Sequence, residues 1–457
     1  MSISLYIKNN FKHFPMPLGK IVATIPYGLR PGIGKSYRQS KNDIIIYERL
    51  NSIERRNWIF NKIKNITSYA INNVPFYKEF YSKRGFSISN LKSFDDIPQI
   101  PTVKKSDFLN YELQFRSTNV AGAYYANTGG SSGKTLSFYL QDHQMGTEWA
   151  HIHHIWKKLG YKPSELKLMF VGRTNLRNII DYDFVRHSFV VDIYADFDLI
   201  ARNLMNLLSK HKITYLHGYP SAIYEFVRNC EKKELRLLEL LKLNLKGAFL
   251  SSEYPMPLYR QLIERLLEIP TVSFYGHTEH CVIAYEKEDT FVYVPLQTYG
   301  YAEAVSMSDG TASLIGTCYN NFASPFIRYN TEDQITSYQC CDSILNSFKI
   351  ESGRNGQFVI DRMKKNIPLT GLIFGRHHKL FEYCTHIQIY QNNPGYVTVL
   401  YVPMNHINCF SPEINFDISN VDLDFSFKKI DKPIKTVSGK INILVSTDDL
   451  ERYNIVL

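Results

Sequence analysis

Apolar residues recur along the chain with two different periods, and each period predicts a different kind of element. Between residues 43 and 82, apolar side chains such as Ile59, Ile63 and Ile66 lie three or four positions apart. This spacing places them on one face of a helix, so the segment is predicted to be helical. Pro98 and Pro101 then mark a loop.

Short apolar runs alternate with helical patterns in the middle of the chain. Such alternation predicts parallel strands joined by crossover helices, which is an α/β architecture. Residues 286–336 are rich in short strand-like runs, and a mixed α+β segment is expected after residue 353. The predicted strands are 166–172, 213–219, 245–252 and 271–276, and the predicted helices are 199–210, 221–243 and 256–268.

The length of 457 residues implies more than one domain, because a single hydrophobic core rarely exceeds about 250–300 residues. Hydrophobic residues make up 44% and charged residues 21%, which excludes a mostly disordered chain. No apolar run approaches the ~18–20 residues of a membrane-spanning helix, and the first 20 residues lack the apolar core of a secretory signal. Seven cysteines without a C-x-x-C pair favour a reducing compartment. We therefore expect a cytoplasmic protein.

The net charge of +10 is concentrated at one end of the chain. Residues 1–42 contain seven lysines and arginines and no acid, so the rest of the chain carries only +3. A basic segment suits an anionic partner, such as the inner membrane surface of a bacterium or an anionic sugar donor. The alternative is that it packs along the larger domain as a basic ribbon. We see no nucleic-acid-binding module and expect no nucleic-acid partner.

Residues 127–135 read N-T-G-G-S-S-G-K-T and form the most distinctive segment. Three glycines let backbone N–H groups point into a shared concavity, and Lys134 adds a positive charge, which suits a polyphosphate. The Walker A pattern is missed because residue 128 is Thr, and residues 138–140 are predicted to be a strand where Walker A has a helix. A simple Gly/Ser hairpin turn is the alternative.

Further motifs follow in a fixed order. Ser251-Ser252-Glu253 ends one predicted strand, and Tyr275-Gly276-His277-Thr278-Glu279 ends another. They are followed by P-F-I-R-Y-N-T-E-D at 325–333, by Gly353-Arg354, and by K-T-V-S-G-K at 435–440. None of these motifs is specific alone, but their order and spacing together are.

With the loop at 127–135, these motifs resemble the adenylate-forming (acyl-CoA synthetase-like) superfamily. Within it, the chain is most similar to the phenylacetate–coenzyme A ligase branch and its CapK-like members of polysaccharide gene clusters. The resemblance implies an α/β fold with a large N-terminal domain of mixed and parallel sheets with crossover helices, and a small α+β C-terminal domain. The implied domains are 43–352, which would bind ATP and substrate, and 353–457, which would be a mobile cap, after the basic segment 1–42.

The resemblance also implies roles in nucleotide binding. Ser252 and Glu253 would lie beside the adenine, Tyr275 would stack on it next to the cofactor-binding Gly276, and Asp333 would accept hydrogen bonds from the ribose hydroxyls. The ATP phosphates would be held by Thr128, Gly129, Gly130, Ser131, Ser132, Gly133 and Lys134.

The reaction centre implied by the resemblance contains three further residues. Thr278 would donate to the α-phosphate, and Glu279 would hold Mg²⁺, which neutralises the charge built up when a carboxylate attacks. Lys440 would bridge the substrate carboxylate and the α-phosphate. Tyr219, in a G-Y-P-S turn, and His277 would line the substrate pocket.

Two positions lack a glycine that the family pattern has. Ser252 replaces the glycine of the family's S-G-E segment, and Glu332 replaces the glycine of its T-G-D segment. The loss of glycine at 332 is expected to exclude an easy positive φ there. Two alternatives stay open: Asp333 could be a buried acid paired with Arg328, and residues 251–253 could be an ordinary strand end.

A third departure lies at the hinge expected between the two domains. Gly353-Arg354 resembles a G-R-x-x-D hinge, which makes Arg354 a candidate for cofactor binding. Gln357 stands where the family has Asp, so hydrogen bonding is retained without the charge. Rotation of the small domain about this hinge is expected.

The implied activity is ATP-dependent activation of a small-molecule carboxylate through an acyl-adenylate, with release of pyrophosphate. The acyl group would then pass to coenzyme A, or to an amine, hydroxyl or carrier in capsule or O-antigen polysaccharide biosynthesis. ATP and Mg²⁺ are the implied cofactors, with coenzyme A as a further candidate. The alternative is a degenerate, non-catalytic adenylate-fold protein, motivated by Ser252, Glu332 and Gln357.

Overall fold

The structure is a computed structural model, and it describes most of the chain. The described residues are 16–128, 136–173, 176–308, 310–352, 357–373, 376, 378–404, 410–434, 442–455 and 457.

The helices of the described chain are mostly short. In chain order they are α1 (Met16–Thr24), α2 (Gly34–Arg49), α3 (Ser52–Asn73), α4 (Pro75–Ser82), α5 (Lys105–Leu109), α6 (His143–Trp156), α7 (Phe197–Leu208), α8 (Pro220–Lys233), α9 (Leu235–Asn244), α10 (Pro257–Leu267), α11 (Leu369–Ile373), α12 (Pro412–Asn415) and α13 (Thr447–Arg452).

The strands occur throughout the chain after residue 123. They are β1 (Tyr124–Asn127), β2 (Ser137–Leu140), β3 (Leu166–Phe170), β4 (Ile180–Asp183), β5 (Ser188–Val191), β6 (Ile213–Gly218), β7 (Gly247–Leu250), β8 (Thr271–Gly276), β9 (Ile283–Glu286), β10 (Tyr293–Pro295), β11 (Gly300–Ser306), β12 (Ala312–Cys318), β13 (Tyr329–Cys341), β14 (Ile344–Ser352), β15 (Phe358–Ile360), β16 (Asn366–Pro368), β17 (Cys384–Tyr390), β18 (Tyr396–Pro403), β19 (Asp424–Lys429) and β20 (Leu444–Val445).

The helical segment predicted at 43–82 is confirmed as the end of α2 followed by α3 and α4. α3 begins at a capping box, in which Asn51 Oδ1 accepts the N–H of Glu54 and the Glu54 carboxylate accepts the N–H of Asn51. α4 begins with Pro75, which suits the first helical position because its missing N–H would have no partner there.

The single helix predicted at 221–243 is wrong. α8 ends at Lys233 and α9 begins at Leu235, because Glu234 (φ −147°, ψ 67°) leaves the helical region of the backbone. No glycine or proline marks this break, so the sequence pattern gave no reason to expect it. The other strands and helices predicted between 166 and 276 are confirmed, each within two residues at either end.

Close contacts group the chain into two compact units. The first contains the described residues of 16–128, 136–164 and 272–352, and the second those of 165–271 and 357–457. The predicted domain boundary at 352/353 adjoins residues 353–356, which lie outside the described residues, so it stays a prediction.

The first unit is built on an antiparallel sheet with the strand order β11-β12-β13-β14-β10-β9-β8. β1 and β2 form a separate antiparallel hairpin, which confirms the strand predicted at 138–140. A chain of aromatic rings packs edge-on or tilted in the core, and it consists of Phe76 of α4, Phe108 of α5, Phe138 of β2, Phe326 and Tyr329. Their rings join the short helices to the hairpin and to the start of β13.

The described part of the basic segment packs against α6 in this unit. Tyr37 of α2 shares a hydrogen bond with His153 Nδ1 at 3.1 Å. A side chain at Gly146 of α6 would lie 2.4 Å from the carbonyl oxygen of Ile33 and 2.1 Å from Ser36 Oγ, so glycine is needed for this close approach.

The second unit contains the parallel strands β7, β6, β3 and β5, with β4 antiparallel at the edge. Every residue of β3 and β7 is buried, as expected for parallel strands covered on both faces. The predicted α/β architecture with crossover helices is confirmed.

Residues 357–457 add a mixed α+β segment to the second unit, as predicted. Its sheet has the order β19-β18-β17-β20, and β15 and β16 form a hairpin. Asn366 Nδ2 of β16 donates to Glu225 Oε1 of α8 at 3.0 Å, and Lys365 Nζ donates to the carbonyl oxygen of Ala195. These bonds tie the segment to the parallel-sheet part of the same unit.

A buried ion pair lies in the first unit, immediately before β13. Arg328 is 5% exposed, and its Nε and Nη2 donate to the two carboxylate oxygens of Glu303 at 2.6 and 3.0 Å. Its Nη1 donates to the carbonyl oxygens of Pro98 and Ile100 at 2.7 and 2.6 Å. A bidentate pair whose guanidinium makes two further hydrogen bonds is stable in the interior, but either member left alone would be costly.

We predict that Glu303→Gln lowers the free energy of unfolding by about 3 kcal/mol, because the buried Arg328 guanidinium then lacks its counter-charge. Urea unfolding followed by tryptophan fluorescence measures this loss. Trp58, Trp149 and Trp156 all lie in the first unit, so the fluorescence reports on that unit.

The matched control is Asp95→Asn, which breaks the exposed ion pair between Asp95 and Arg56. We expect a change below about 1 kcal/mol, because solvent screens exposed pairs. If the two variants lose equal free energy of unfolding, the buried ion pair of Glu303 stabilises the protein no more than the exposed one.

Candidate functional site

The segment Tyr275–Glu279 carries the chain from the end of β8 into a loop of the first unit. Glu279 is 7% exposed, Tyr275 and His277 are half-buried, and Thr278 is exposed. The rings of Tyr275 and His277 meet edge-to-face with their centroids 5.9 Å apart. Five consecutive residues thus present an aromatic ring, an accessible hydroxyl and a buried carboxylate.

The Glu279 carboxylate has a partner at each oxygen. Oε2 lies 3.2 Å from His277 Nδ1, and Oε1 accepts a hydrogen bond from Tyr329 Oη at 3.2 Å. Burial opposes ionisation, but the hydrogen bond and charge of His277 and the charge of Lys105 outweigh it and lower the pKa of Glu279 to about 2. The carboxylate is therefore ionised throughout the physiological pH range.

This carboxylate fits a divalent cation of the Mg²⁺ type. An ionised carboxylate with two hydrogen bonds keeps lone pairs for a hard cation. Among the residues that the structure describes, no group of three or more His, Cys, Asp or Glu side chains could enclose a metal ion. The donor set therefore fits an ion held by one carboxylate together with phosphate oxygens and water.

Tyr275 and Asp333 are joined by a hydrogen bond across the first unit. Tyr275 Oη donates to Asp333 Oδ2 at 2.6 Å. Burial and the nearby Asp333 carboxylate hold the pKa of Tyr275 well above its usual value, so the phenol stays a donor. The structure thus brings together the two residues assigned to adenine and ribose.

Asp333 is positioned by a bulge in β13. The pairing of β12 with β13 shifts here, so that residues 331–333 lie opposite a single residue of β12. Asn330 Oδ1 accepts the N–H of Glu332 at 2.8 Å, and Thr331 Oγ1 accepts the N–H of Asp333 at 3.2 Å. A bulge re-aims the side chain that follows it, and here these two local hydrogen bonds fix its shape.

Glu332 adopts a positive φ although the glycine of the family pattern is missing, so the backbone conformation is reached at a cost and not excluded. Glu332 has φ +65°, and Ser252, the other position without the family's glycine, has φ +69°. A left-handed backbone costs an L-residue about 1–2 kcal/mol, a cost that the Asn330 hydrogen bond to Glu332 helps to offset. Both positions adopt the conformation that glycine would adopt readily.

The alternative pairing of Asp333 with Arg328 does not occur. The Arg328 guanidinium is taken by Glu303 and two carbonyl oxygens, whereas Asp333 is half-buried and bonded to Tyr275. Asp333 is therefore not the buried counter-charge of an arginine.

Thr128 closes the base of the glycine-rich loop. Its N–H donates to the carbonyl oxygen of Leu136 at 2.9 Å, and its Oγ1 accepts the N–H of Leu136 at 3.0 Å. Thr128 is 4% exposed, so its hydroxyl serves the hairpin in this structure. The loop residues Gly129, Gly130, Ser131, Ser132, Gly133 and Lys134 lie outside the described residues, as do Arg354 and Lys440.

Glu253 is buried in the second unit, where it binds the start of α8. Its Oε2 accepts the N–H of Ser221 at 3.0 Å and its Oε1 accepts Ser221 Oγ at 2.9 Å. A carboxylate at a helix N-terminus is stabilised by the unpaired N–H groups there. Residues 251–253 are therefore more than an ordinary strand end, because they anchor a helix.

Tyr219 lies immediately before α8 and is 8% exposed. Its N–H donates to the carbonyl oxygen of Phe170 at the end of β3, at 3.0 Å. His217, at the end of β6, shares a hydrogen bond with Ser251 Oγ at 3.1 Å. Burial and the nearby cations, Lys167 foremost among them, lower the pKa of His217 to about 3, so the imidazole is neutral.

Three residues that interact with the motif residues received no role from the sequence. Tyr329 donates to Glu279, and Lys105, which is 4% exposed, contributes positive charge to it. Ser221 binds Glu253. Tyr329 and Ser221 lie inside motifs that the sequence marks, whereas nothing in the sequence around Lys105 indicates a buried cation.

We predict that Glu332→Gly leaves the free energy of unfolding unchanged or raises it by up to about 1 kcal/mol. Relief of the left-handed strain offsets the greater freedom that glycine gives to the unfolded chain. Lys64→Gly, in the interior of α3, should instead cost about 1 kcal/mol because its backbone is helical. Urea unfolding compares the two, and equal losses would contradict the left-handed assignment.

The sequence and the fold of the chain were compared with those of known proteins. No protein-family profile matches the chain. Protein CapK from Staphylococcus aureus is 21% identical in an alignment that covers 94% of this chain and 97% of CapK.

Solved structures of 2-hydroxyisobutyryl-CoA ligase share the fold. The ligase in complex with 2-HIB-AMP and CoA in the thioesterification state has a TM-score of 0.55 at 16% identity, covering 89% of this chain and 92% of that chain. In the postadenylation state with R3-HIB-AMP it has a TM-score of 0.53 at 15% identity, with the same coverage. The resemblance carried by the motifs is therefore confirmed: the chain has the fold of the adenylate-forming superfamily and is a distant relative of CapK over nearly its full length.

Proposed function

We propose that the protein activates a carboxylic acid with ATP, forming an acyl-adenylate and releasing pyrophosphate. One observation carries this proposal. Glu279 is buried and ionised, Tyr275 is hydrogen-bonded to Asp333, and these are the residues to which the motif resemblance assigns the metal ion and the nucleoside. The ligase that shares the fold holds an acyl-AMP and CoA in its structures, which supports the same chemistry here.

Tyr275 and Asp333 are proposed to bind the nucleoside of ATP. The protonated Tyr275 hydroxyl occupies one Asp333 oxygen and orients the carboxylate, which accepts hydrogen bonds from the ribose hydroxyls. The ring of Tyr275 contacts the adenine. Ser252 and Glu253 of the second unit are proposed as adenine contacts on the strength of the motif resemblance alone. The contact would be made by their backbone, since the Glu253 carboxylate is engaged by Ser221.

Glu279 is proposed to hold Mg²⁺ together with phosphate oxygens of ATP. The ion, when bound, neutralises the negative charge that builds on the α-phosphate during attack by the carboxylate. Thr278 donates its exposed hydroxyl to the α-phosphate. His277 and Tyr329 keep the Glu279 carboxylate in one orientation. His277 and Tyr219 are each proposed as substrate contacts on the strength of the motif resemblance alone.

Lys440 and the glycine-rich loop are proposed to act on the phosphates, on the strength of the motif resemblance alone. The loop holds the β- and γ-phosphates through its N–H groups and Lys134. The Lys440 ammonium stabilises charge shared between the attacking carboxylate and the α-phosphate in the transition state.

The acceptor of the acyl group is proposed to be coenzyme A, or an amine, hydroxyl or carrier in surface-polysaccharide assembly. The CapK-like pattern of the motifs supports the second group. Access for the acceptor would follow rotation of residues 353–457 about Arg354. Such a rotation has to break the Asn366–Glu225 hydrogen bond in the second unit.

The alternative is a non-catalytic adenylate-fold protein. Two of the three sequence departures that favoured this alternative do not change the backbone conformation. Ser252 and Glu332 adopt positive φ values without glycine, so these two substitutions keep the backbone conformation that glycine would supply. Only Gln357, beside the hinge, remains as a departure whose effect on geometry is not compensated.

We predict carboxylate-dependent exchange of pyrophosphate into ATP with at least one acid of a broad panel. Lys440→Ala should lower the exchange rate about 10²–10³-fold, because it removes a charge that acts in the transition state. Glu279→Gln should lower the rate and raise the Mg²⁺ concentration needed for half-maximal exchange. Radiolabelled pyrophosphate measures both effects.

The matched controls are Lys432→Ala and Glu288→Gln, which change exposed residues of the same types. We expect both to retain full exchange. If no acid supports exchange and ATP does not bind in calorimetry, the chain is the non-catalytic form.

A further inference from the structure

Helix α1 exposes apolar side chains on the face opposite to its buried one. Gly19 and Ala23 are buried, whereas Leu18 is 49% and Ile21 is 63% exposed. The exposed row continues beyond the helix through Ile25. Because positions 18, 21 and 25 follow helical spacing, they form one continuous apolar face.

This face is held on the first unit and is not a free tail. Arg30 Nε donates to the carbonyl oxygen of Ile25 at 3.2 Å, and its guanidinium lies 3.7 Å above the ring of Tyr27. Tyr27 in turn packs edge-on against His153 of α6, with ring centroids 4.5 Å apart. Leu29, between these anchors, is 67% exposed. The fold therefore presents Leu29 to solvent in the turn that follows α1.

The same segment carries one sign of charge. Lys20, Lys35, Arg38 and Lys41 are all exposed, and the first acid of the chain is Asp43. Exposed large apolar side chains combined with lysine and arginine are the composition of a surface that enters the headgroup region of an anionic bilayer. In the described residues, no helix is long and apolar enough to span a membrane.

Charge decides among the candidate occupants of this surface. A second copy of the chain would bring two basic segments together, and like charges across an interface are unfavourable. A nucleic acid would match the cations but would leave Leu18, Ile21 and Leu29 exposed to water. Of these three occupants, the anionic lipid surface alone accepts both the cations and the apolar side chains.

We propose that residues 16–42 dock the protein on an anionic membrane surface, where Leu18, Ile21, Ile25 and Leu29 enter the interface and the lysines and Arg38 bind the lipid headgroups. This docking is independent of the proposed adenylation chemistry. It places the first unit at the membrane and brings a soluble activation reaction to lipid-linked or membrane-borne acceptors.

Vesicle flotation with the full chain tests the proposal. We expect the protein to float with phosphatidylglycerol/phosphatidylcholine vesicles and not with phosphatidylcholine alone. The double variant Ile21→Ser/Leu29→Ser should lower the partition coefficient at least about tenfold, because it removes apolar contact area. Lys20→Ser/Lys35→Ser should lower it about tenfold and flatten its dependence on salt.

The control is Leu243→Ser/Ile414→Ser, which changes side chains that are 82% and 84% exposed elsewhere in the chain. It should float like the unchanged protein, and circular dichroism should show that every variant is folded. Three results would overturn the proposal. They are no flotation at low salt, flotation that Ile21→Ser/Leu29→Ser leaves unchanged, and a dimer in sedimentation equilibrium that this variant dissociates without any effect on vesicles.

Discussion

A carboxylate stays ionised inside a protein only when hydrogen bonds and opposite charge offset its removal from water. Glu279 meets this requirement through His277, two residues before it, and through Tyr329, the first residue of β13. The position of Tyr329 depends on the preceding Arg328, whose guanidinium is fixed by Glu303 and by two carbonyl oxygens of the loop before α5. The charge at the proposed metal position therefore depends on an ion pair in the core of the first unit. The Arg328–Glu303 pair thus contributes both to the stability of the first unit and to the environment that keeps Glu279 ionised.

The elements of the fold were predictable where the apolar pattern is strong and local. β3 and β7 are buried along their whole length, and nearly continuous apolar runs in the sequence are typical of such parallel strands. The bonds of the site were not predictable, because the Tyr275 to Asp333 contact spans 58 positions and the Glu279 to Tyr329 contact spans 50. The motifs indicated which residues matter. These residues come together only when strands β8 through β14 assemble into the antiparallel sheet of the first unit.

The positive φ of Glu332 shows why a rule for single residues failed. Glycine is the usual residue for a left-handed backbone because it has no Cβ. A glutamate at the same position therefore predicts a different backbone conformation. The Asn330 side chain, two positions earlier, accepts the N–H of Glu332 and holds the turn. In the second unit Glu253 has a comparable local effect, because its carboxylate fixes the start of α8 and hence the G-Y-P-S turn that carries Tyr219. Two motifs 32 positions apart are thus one structural feature.

Backbone strain bears on the choice between an enzyme and a non-catalytic relative. A non-glycine residue stays in a left-handed conformation only where the surroundings determine it, at a cost of about 1–3 kcal/mol. At Glu332 those surroundings are a β-bulge, the Asn330 hydrogen bond and the Thr331 hydroxyl, and their combined effect is to present Asp333 to Tyr275. The strained turn directs the Asp333 carboxylate toward Tyr275, and this is the direction that the proposed contact with a ribose requires.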